Sequence, residues 1–117
     1  MTNYNPGDVV LLAFPYANAA QRKKRPALVL LDPGNADVLV ARVTTQAHRT
    51  PYDVELVKWQ AAGLLIPSVV RLHKLATLEK TLVERKLGEI HPEDRKAVAD
   101  VLRRICGDWG AAFSASL

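Results

Sequence analysis

Residues 24–44 read KRPALVLLDPGNADVLVARVT, in which two apolar runs are separated by a turn sequence. The runs Ala27–Leu31 and Asp37–Thr44 have the length and apolar character of β-strands. Between them, Asp32-Pro33-Gly34-Asn35 is typical of a turn, because proline fixes φ, glycine adopts positive φ, and Asp and Asn side chains bond the nearby backbone. The stretch therefore predicts two consecutive strands joined by a short turn.

Apolar runs on both sides of this stretch predict further strands. Val9–Phe14 is predicted as a largely buried strand that ends at Pro15, and a polar loop is predicted from there to Pro26. Asp53–Leu56 is predicted as a short strand and Ser68–Leu75 as a longer one. Strands joined by short turns indicate a meander in a small barrel or sandwich.

The C-terminal part predicts one helix that packs on the sheet. Pro92 suits the first helical position, and Gly107 is placed to terminate the helix. Between them an apolar stripe follows helical spacing, formed by Val98, Val101, Leu102 and Ile105. A short helical turn is predicted at Trp59–Ala62, closed by Gly63. The chain is therefore predicted to be a single, mainly β domain over residues 1–117.

Length and composition exclude several classes of protein. The 117 residues, 49% hydrophobic and 24% charged, suit one soluble domain that folds without disulfides. A single cysteine, Cys106, cannot form an internal disulfide, and with three scattered histidines it cannot build a zinc site. No apolar run has the length of a membrane span, and the N-terminus has no signal-peptide pattern. We therefore expect a cytoplasmic protein that does not associate with membranes.

Sequence motifs for cofactor binding and metal-dependent catalysis are also absent. The chain has no Gly-rich phosphate loop, no G-x-S-x-G, no H-E-x-x-H and no pair of carboxylates at a metal-binding spacing. Any catalysis is therefore expected to need neither a metal nor a cofactor.

Positive charge is concentrated in the first two-thirds of the chain. Residues 1–77 hold nine Lys or Arg and five Asp or Glu, a net charge of +4, whereas residues 78–117 hold seven of each. This distribution indicates an anionic partner that binds one region of the protein.

The densest positive charge is the run Arg22-Lys23-Lys24-Arg25, directly before a predicted buried strand. Pro26 fixes the backbone next to Arg25 and holds this arginine at the start of the strand, where its guanidinium can donate paired hydrogen bonds to a phosphate. A solvated basic loop without a ligand is the alternative interpretation.

Hydroxyl and amide side chains follow the strand that ends at Thr44. Thr44, Thr45 and Gln46 can donate to phosphate oxygens or base edges, or the hydroxyls can satisfy backbone groups of the turn. If the strands at residues 27–31 and 37–44 are antiparallel neighbours, Arg25 and Thr44 lie at the same end of the sheet.

A histidine and an arginine share one face of the strand Ser68–Leu75. Strand alternation places Arg71 and His73 on the face opposite Val70 and Leu72. His73 is the best-placed group in the chain for proton transfer near neutral pH, and an ordinary hydrogen-bonded surface histidine is the alternative.

The order and spacing of these fragments resemble the MazF/PemK family of toxins from toxin–antitoxin systems. The resemblance covers about residues 6–105. It comprises Gly7–Leu11 with Phe14-Pro15, Lys24–Leu30, Val43–Gln46, Trp59 with Ala62–Leu64, Ser68–Arg71 and Ala76–Leu78.

The resemblance implies an SH3-like small β-barrel with a C-terminal helix. It further implies a homodimer that cleaves single-stranded RNA sequence-selectively and without metal, leaving a 2′,3′-cyclic phosphate and a 5′-hydroxyl. The implied partners are a cognate antitoxin, which covers the basic groove, and operator DNA, which the antitoxin complex contacts. Leu64–Ile66 is a candidate apolar patch for the dimer.

The resemblance also assigns site residues. Arg25 matches the catalytic arginine of the family in its K-R-P motif, and Thr44 matches the catalytic threonine. Arg71 matches a site arginine of some members, and His73, the candidate general acid or base, stands where those members have an aspartate. The candidate RNA-binding residues are Lys23, Lys24, Thr45, Gln46 and Arg71.

Two alternatives from other functional classes stay open. CcdB-like toxins are non-enzymatic DNA gyrase poisons that share this fold, and Trp109-Gly110 resembles their Trp-Gly tail, although Arg25 and Thr44 have no role there. A catalytically inactive nucleic-acid-binding barrel is the other alternative, because His73 replaces the acid. Arg25→Ala distinguishes them, because it should abolish RNA cleavage and leave gyrase poisoning intact.

Overall fold

In residues 2–15 and 22–115 the fold consists of six strands and one long helix. The strands are β1 Asp8–Pro15, β2 Arg22–Leu31, β3 Asp37–Thr44, β4 Asp53–Glu55, β5 Val69–Glu79 and β6 Val83–Glu89; a 3₁₀ turn spans Lys80–Leu82 and helix α1 spans Pro92–Ala115. The computed structural model describes residues 2–15 and 22–115. All strand pairs are antiparallel, in the order β4-β5-β3-β2-β1-β6.

The central strands show where the sequence prediction was right and where it was wrong. β3 has the predicted bounds, whereas β2 begins at Arg22 and not at Ala27. It is longer because residues 22–26 pair with residues 11–15 of β1. The basic run is therefore part of a strand and not of a loop, and the side chains of Lys23, Lys24 and Arg25 alternate between the two faces of the sheet.

The edge strand β6 was not predicted. Its sequence, VERKLGE, is mostly charged and lacks the apolar alternation that marks a half-buried strand. It forms because it pairs with residues 8–12 of β1, with two register shifts along the ladder. Tertiary pairing, which local sequence does not encode, therefore determines this strand.

Helix α1 begins at Pro92 as predicted but continues through Gly107 to Ala115. Gly107 does not adopt the positive φ with which glycine ends many helices. Residues 106–111 are exposed, and a glycine inside an exposed helix costs only about 1 kcal/mol relative to alanine. Neither α1 nor any other helix in the described part of the chain has the apolar length needed to span a bilayer.

Apolar side chains cover both faces of the sheet. One cluster lies between the sheet, α1 and the segment at residues 54–64; its buried members are Val9, Leu28, Ala41, Val43, Val54, Leu56, Ala62, Leu64, Val70, Leu72, Ile90 and Val98. A second cluster consists of Val10, Leu12, Ala27, Val29, Val38 and Val40. Within residues 2–15 and 22–115 the outer strands β4 and β6 are not paired with each other. The fold is thus the predicted mainly β, barrel-like architecture with a C-terminal helix, but its sheet is open.

A bulge in β5 interrupts its pairing with β3. Ala41 pairs with Leu75 and the next residue, Arg42, pairs with Arg71, so residues 72–74 have no counterpart on β3. Bulges bend a strand and redirect its side chains. Lys74 is accordingly exposed, whereas uninterrupted alternation would place it with the buried Leu72.

The segment between β4 and β5 is held by one buried carboxylate and one close backbone contact. Asp94, near the start of α1, accepts the backbone N–H groups of Val57 and Lys58, each at 2.8 Å. Gly63 has a φ of +80°, and a Cβ at this position would lie 2.0 Å from the carbonyl oxygen of Leu87. The predicted helical turn that ends at Gly63 is confirmed, and it packs directly on β6.

Candidate nucleic-acid interface

Basic side chains gather at one end of one sheet face. Residues directly opposite each other in an antiparallel ladder point to the same face. Arg25 is opposite Leu12, Arg42 is opposite Ala27, and Arg71 is opposite Arg42. The sheet face that carries the second apolar cluster therefore becomes basic near the start of β2 and the end of β3. We call the surface formed by Arg25, Arg42, Thr44 and Arg71 the basic face.

The pairing of β2 with β3 places Arg25 and Thr44 at the same end of the sheet. The ladder ends at Ala27 opposite Arg42, and Arg25 and Thr44 each lie two residues beyond that pair, on the same face of the sheet. Arg25 is half-buried and Thr44 is only 5% exposed, so both are held by their surroundings.

The Thr44 hydroxyl accepts a hydrogen bond within the turn that follows β3. Its Oγ1 accepts the backbone N–H of Gln46 at 3.2 Å, which is the local turn bond anticipated from the sequence. A hydroxyl that accepts one hydrogen bond still has its own O–H to donate. The turn bond and a contact to a ligand are therefore compatible.

Arg71 forms an ion pair with Asp53 that is almost fully shielded from solvent. Arg71 Nε lies 2.9 Å from Asp53 Oδ1, and the two side chains are 12% and 1% exposed. Asp53 Oδ2 accepts the Thr50 backbone N–H at 2.9 Å and the Thr50 hydroxyl at 2.7 Å. Burial alone would raise the pKa of Asp53, but the hydrogen bonds from Arg71 and Thr50 outweigh it and lower that pKa from 3.8 to about 2. Asp53 is therefore ionised at neutral pH.

His73 contacts Arg71, with which strand alternation predicted that it shares a face. Arg71 Nη2 lies 3.2 Å from His73 Nε2. Because a guanidinium only donates, Nε2 must accept, and the neutral ring then carries its proton on Nδ1. The Tyr52 ring lies beside the imidazole, with ring centroids 5.5 Å apart and planes at 51°. His73 is exposed at the bulge of β5 and can reach a ligand on the basic face.

The candidate RNA-binding residues fall on different faces. Lys23 alternates with Lys24 along β2, so it shares the face of Arg25. Lys24 points to the opposite face and forms an ion pair of 3.1 Å with Glu84. Thr45 lines a groove on that opposite face, and Gln46 is exposed at the strand exit.

This groove has a volume of about 550 Å³ and mostly apolar walls. Its lining residues are Leu11, Pro26, Thr45, Gly63, Leu64, Leu65, Ile66, Ser68, Arg85 and Leu87. Leu65 is 92% exposed at its rim. The apolar patch Leu64–Ile66 that the sequence indicated therefore belongs to this groove and not to the basic face.

Three residues of the basic face and its border were not identified from the sequence. Arg42 could have been identified from the sequence, because it interrupts the apolar run of β3 at a position flanked by buried residues. Asp53 and Tyr52 could not, because their roles depend on the pairing of the short strand β4 with β5. Among the described residues, no three His, Cys, Asp or Glu side chains are grouped as metal ligands.

Comparison with known proteins identifies the family. The family model of PemK-like, MazF-like toxins of type II toxin–antitoxin systems matches residues 5–106. No curated protein sequence matches the chain.

Solved structures have the same fold. MazF from Deinococcus radiodurans is 26% identical, with a TM-score of 0.68 over 92% of this chain and 99% of that chain. A MazE–MazF structure from the same organism is 22% identical, with a TM-score of 0.74 over 92% and 98%. An endoribonuclease in complex with its cognate antitoxin, from a mycobacterial species, is 22% identical, with a TM-score of 0.69 over 86% and 92%. Since the family model covers most of the chain, this protein belongs to the PemK-like, MazF-like toxin family of type II toxin–antitoxin systems.

Proposed function

We propose that this protein is a toxin endoribonuclease that cleaves single-stranded RNA sequence-selectively and without metal. The observation that carries the proposal is that Arg25, Thr44, Arg42 and Arg71 share one end of one sheet face. These side chains donate hydrogen bonds and carry positive charge, which suits a phosphodiester. Family membership and the names of the structural neighbours support the same activity.

The reaction we propose uses the nucleophile that RNA itself carries. The 2′-oxygen attacks the adjacent phosphorus and the bond from phosphorus to the 5′-oxygen breaks, which yields a 2′,3′-cyclic phosphate and a 5′-hydroxyl. One proton leaves the 2′-hydroxyl and one is delivered to the 5′-oxygen. The protein must therefore orient the RNA, move two protons and stabilise the negative charge that develops on phosphorus.

Arg25 and Thr44 are assigned to charge stabilisation. The guanidinium of Arg25 and the O–H of Thr44 would donate to the non-bridging phosphate oxygens. Loss of one such preorganised donor lowers the rate about 10²- to 10³-fold. The turn bond from Gln46 holds the threonine oxygen before the substrate arrives, so little reorganisation is needed.

His73 is assigned to proton transfer, as general base or general acid, with Arg71 as its neighbour on the phosphate. In the free protein the Nε2 lone pair accepts a hydrogen bond from Arg71. Three other N–H groups of Arg71 stay available to the phosphate, and Nε2 can take up a proton once its bond to Arg71 is released. Transfer by a positioned side chain contributes about 10²- to 10⁴-fold to the rate.

The RNA strand would lie across the end of the sheet on the basic face. Lys23 shares this face and would contact the backbone, while Gln46 borders it. Lys24 and Thr45 would contact only nucleotides that pass to the opposite face. Because phosphate contacts dominate such binding, affinity should fall steeply with salt.

The partners follow from the same surfaces. An antitoxin segment with acidic residues would cover the basic face and exclude RNA, and the complex would contact operator DNA. A second copy of the chain would pack through the groove rim at Leu64–Ile66, which exposes apolar side chains. The toxin would act in the cytoplasm.

The direct test is cleavage of a mixed-sequence single-stranded RNA pool in excess EDTA. Wild type is compared with Arg25→Ala and with Arg103→Ala, a matched control because Arg103 is an exposed helix residue paired with Asp100. Cleavage by wild type and the control but not by Arg25→Ala supports the proposal. Intact RNA across the whole pool contradicts it, and a gyrase supercoiling assay then separates a gyrase poison from an inactive barrel.

A further inference from the structure

We propose that Asp53 is a positioning residue for Arg71 and His73, and that the turn at residues 50–53 exists to hold this pair for catalysis. The role rests on the proposed RNA cleavage. Asp53 does not itself touch the substrate, because its carboxylate is 1% exposed and lies behind Arg71.

Asp53 fixes which edge of the Arg71 guanidinium is free. The carboxylate accepts Nε at 2.9 Å, and Nη2 contacts His73 Nε2 at 3.2 Å. A guanidinium has five N–H groups, so three remain available to a phosphate. The bond at Nε holds that edge of the planar group against Asp53 and leaves these three N–H groups on its other edges.

The carboxylate is in turn held by donors on both of its oxygens. Oδ1 accepts from Arg71, and Oδ2 accepts from the backbone N–H and the hydroxyl of Thr50. Only a carboxylate supplies two acceptor oxygens in this shape. An asparagine has one, so it must either turn an NH₂ towards the Thr50 N–H or release Arg71.

The same turn also places the imidazole. Tyr52 packs against His73, and the Tyr52 carbonyl accepts the Leu72 backbone N–H at 2.9 Å within the bulge. Arg104 of α1 donates to the carbonyl of Pro51 and ties the turn to the helix. These bonds anchor the turn in addition to those that Asp53 accepts from Thr50, and Asp53 links the turn to the Arg71 side chain.

The test is a comparison of two buried carboxylates. Asp53→Asn is expected to lower kcat/KM for RNA cleavage about 10²-fold, the effect of a displacement of roughly 1 Å at a reacting group. The matched control is Asp32→Asn, which breaks the other shielded ion pair, Asp32 with Lys80 at 2.8 Å, at the opposite end of β2 and β3. Asp32→Asn should leave kcat/KM within about threefold of wild type at a temperature where both variants are folded by circular dichroism.

A double-mutant cycle separates positioning from a structural role. If Asp53 acts through Arg71, Asp53→Asn should change the activity of Arg71→Ala by less than about threefold, because the positioned group is already absent. A loss of the same size in both backgrounds, or near-wild-type activity of Asp53→Asn, overturns the inference. Both results leave the proposed function standing, since they require an active wild type; an inactive wild type overturns the function itself.

Thr50→Val keeps the test decisive if Asp53→Asn fails to fold. Valine keeps the shape of threonine but removes the hydroxyl that donates to Asp53 at 2.7 Å. We expect roughly a fivefold loss in kcat/KM, the effect of one hydrogen bond. An unchanged kcat/KM for folded Thr50→Val counts against the positioning role.

Discussion

Arg42 of β3 lies directly opposite Arg71 of β5, so two arginines occupy adjacent positions on one face of the sheet. Like charges at opposite positions destabilise a sheet. Asp53 of β4 pairs with Arg71 from the side of β5 that faces away from β3, and it supplies one negative charge against these two positive charges. Arg42, Arg71 and Asp53 together therefore carry a net positive charge next to Thr44, and this charge favours the binding of an anion there.

Removal of Arg42 should weaken RNA binding without loss of stability. For Arg42→Gln we expect an unchanged free energy of unfolding, or a rise of up to about 1 kcal/mol as the repulsion with Arg71 is removed. Binding of a non-cleavable single-stranded DNA analogue should weaken, and the slope of log K against log salt should become shallower by about 0.7, the value for one phosphate contact to a single strand. A salt titration by fluorescence anisotropy measures this slope. An unchanged slope would place Arg42 outside the interface.

Substitutions of Thr44 and of its neighbour Thr45 should have very different effects on the rate of RNA cleavage. Thr44→Val removes a hydroxyl from the basic face and should lower cleavage about 10²- to 10³-fold, whereas Thr44→Ser keeps the donor and most of the activity. Thr45 lines the opposite groove, so Thr45→Val should change the rate much less. Single-turnover cleavage of one RNA by the three variants measures the difference. Equal losses for Thr44→Val and Thr45→Val would contradict the assignment of faces.

Acid should destabilise the protein through the shielded carboxylates of Asp32 and Asp53. Hydrogen bonds from Lys80, Tyr4 and Gly34 lower the pKa of Asp32 to about 2, and the pKa of Asp53 is also about 2. Because both folded-state values lie below the unfolded value of 3.8, the stabilisation is fully present above about pH 4 and is lost as pH falls towards 2. Chemical denaturation at pH 6, 4, 3 and 2 should show this loss. For Asp53→Asn the free energy of unfolding should depend less steeply on pH between pH 4 and 2 than it does for wild type. Equal slopes for the two proteins would contradict the account.

The fold was predictable where local signals agreed. In β3 an apolar run follows strong turn residues, and its bounds were predicted correctly. In β6 the residues are mostly charged, and only pairing with β1 makes them a strand. The start of α1 was encoded by Pro92, whereas its end at Gly107 was wrongly predicted, because a glycine ends a helix only when its backbone changes conformation.

The site was predictable in part for a similar reason. Arg71 and His73 are two residues apart on one strand, so alternation predicted a shared face, and in the structure the two side chains are in contact. Asp53 is 18 residues from Arg71 in sequence, and nothing local to it signals that contact. The bulge at residues 72–74 is likewise a property of the β3–β5 ladder and has no sequence signature of its own.

The most direct measurement is end-group analysis of one cleaved RNA with and without its 2′-hydroxyl. A pool experiment first locates a cleaved site, and the same oligonucleotide is then made with a single 2′-deoxynucleotide on the 5′ side of the cut. In excess EDTA, mass spectrometry should find a 2′,3′-cyclic phosphate and a 5′-hydroxyl from the natural RNA and no cleavage of the deoxy substrate. Cleavage of the deoxy substrate, 5′-phosphate ends, or activity only after a divalent metal is added would contradict the proposed mechanism.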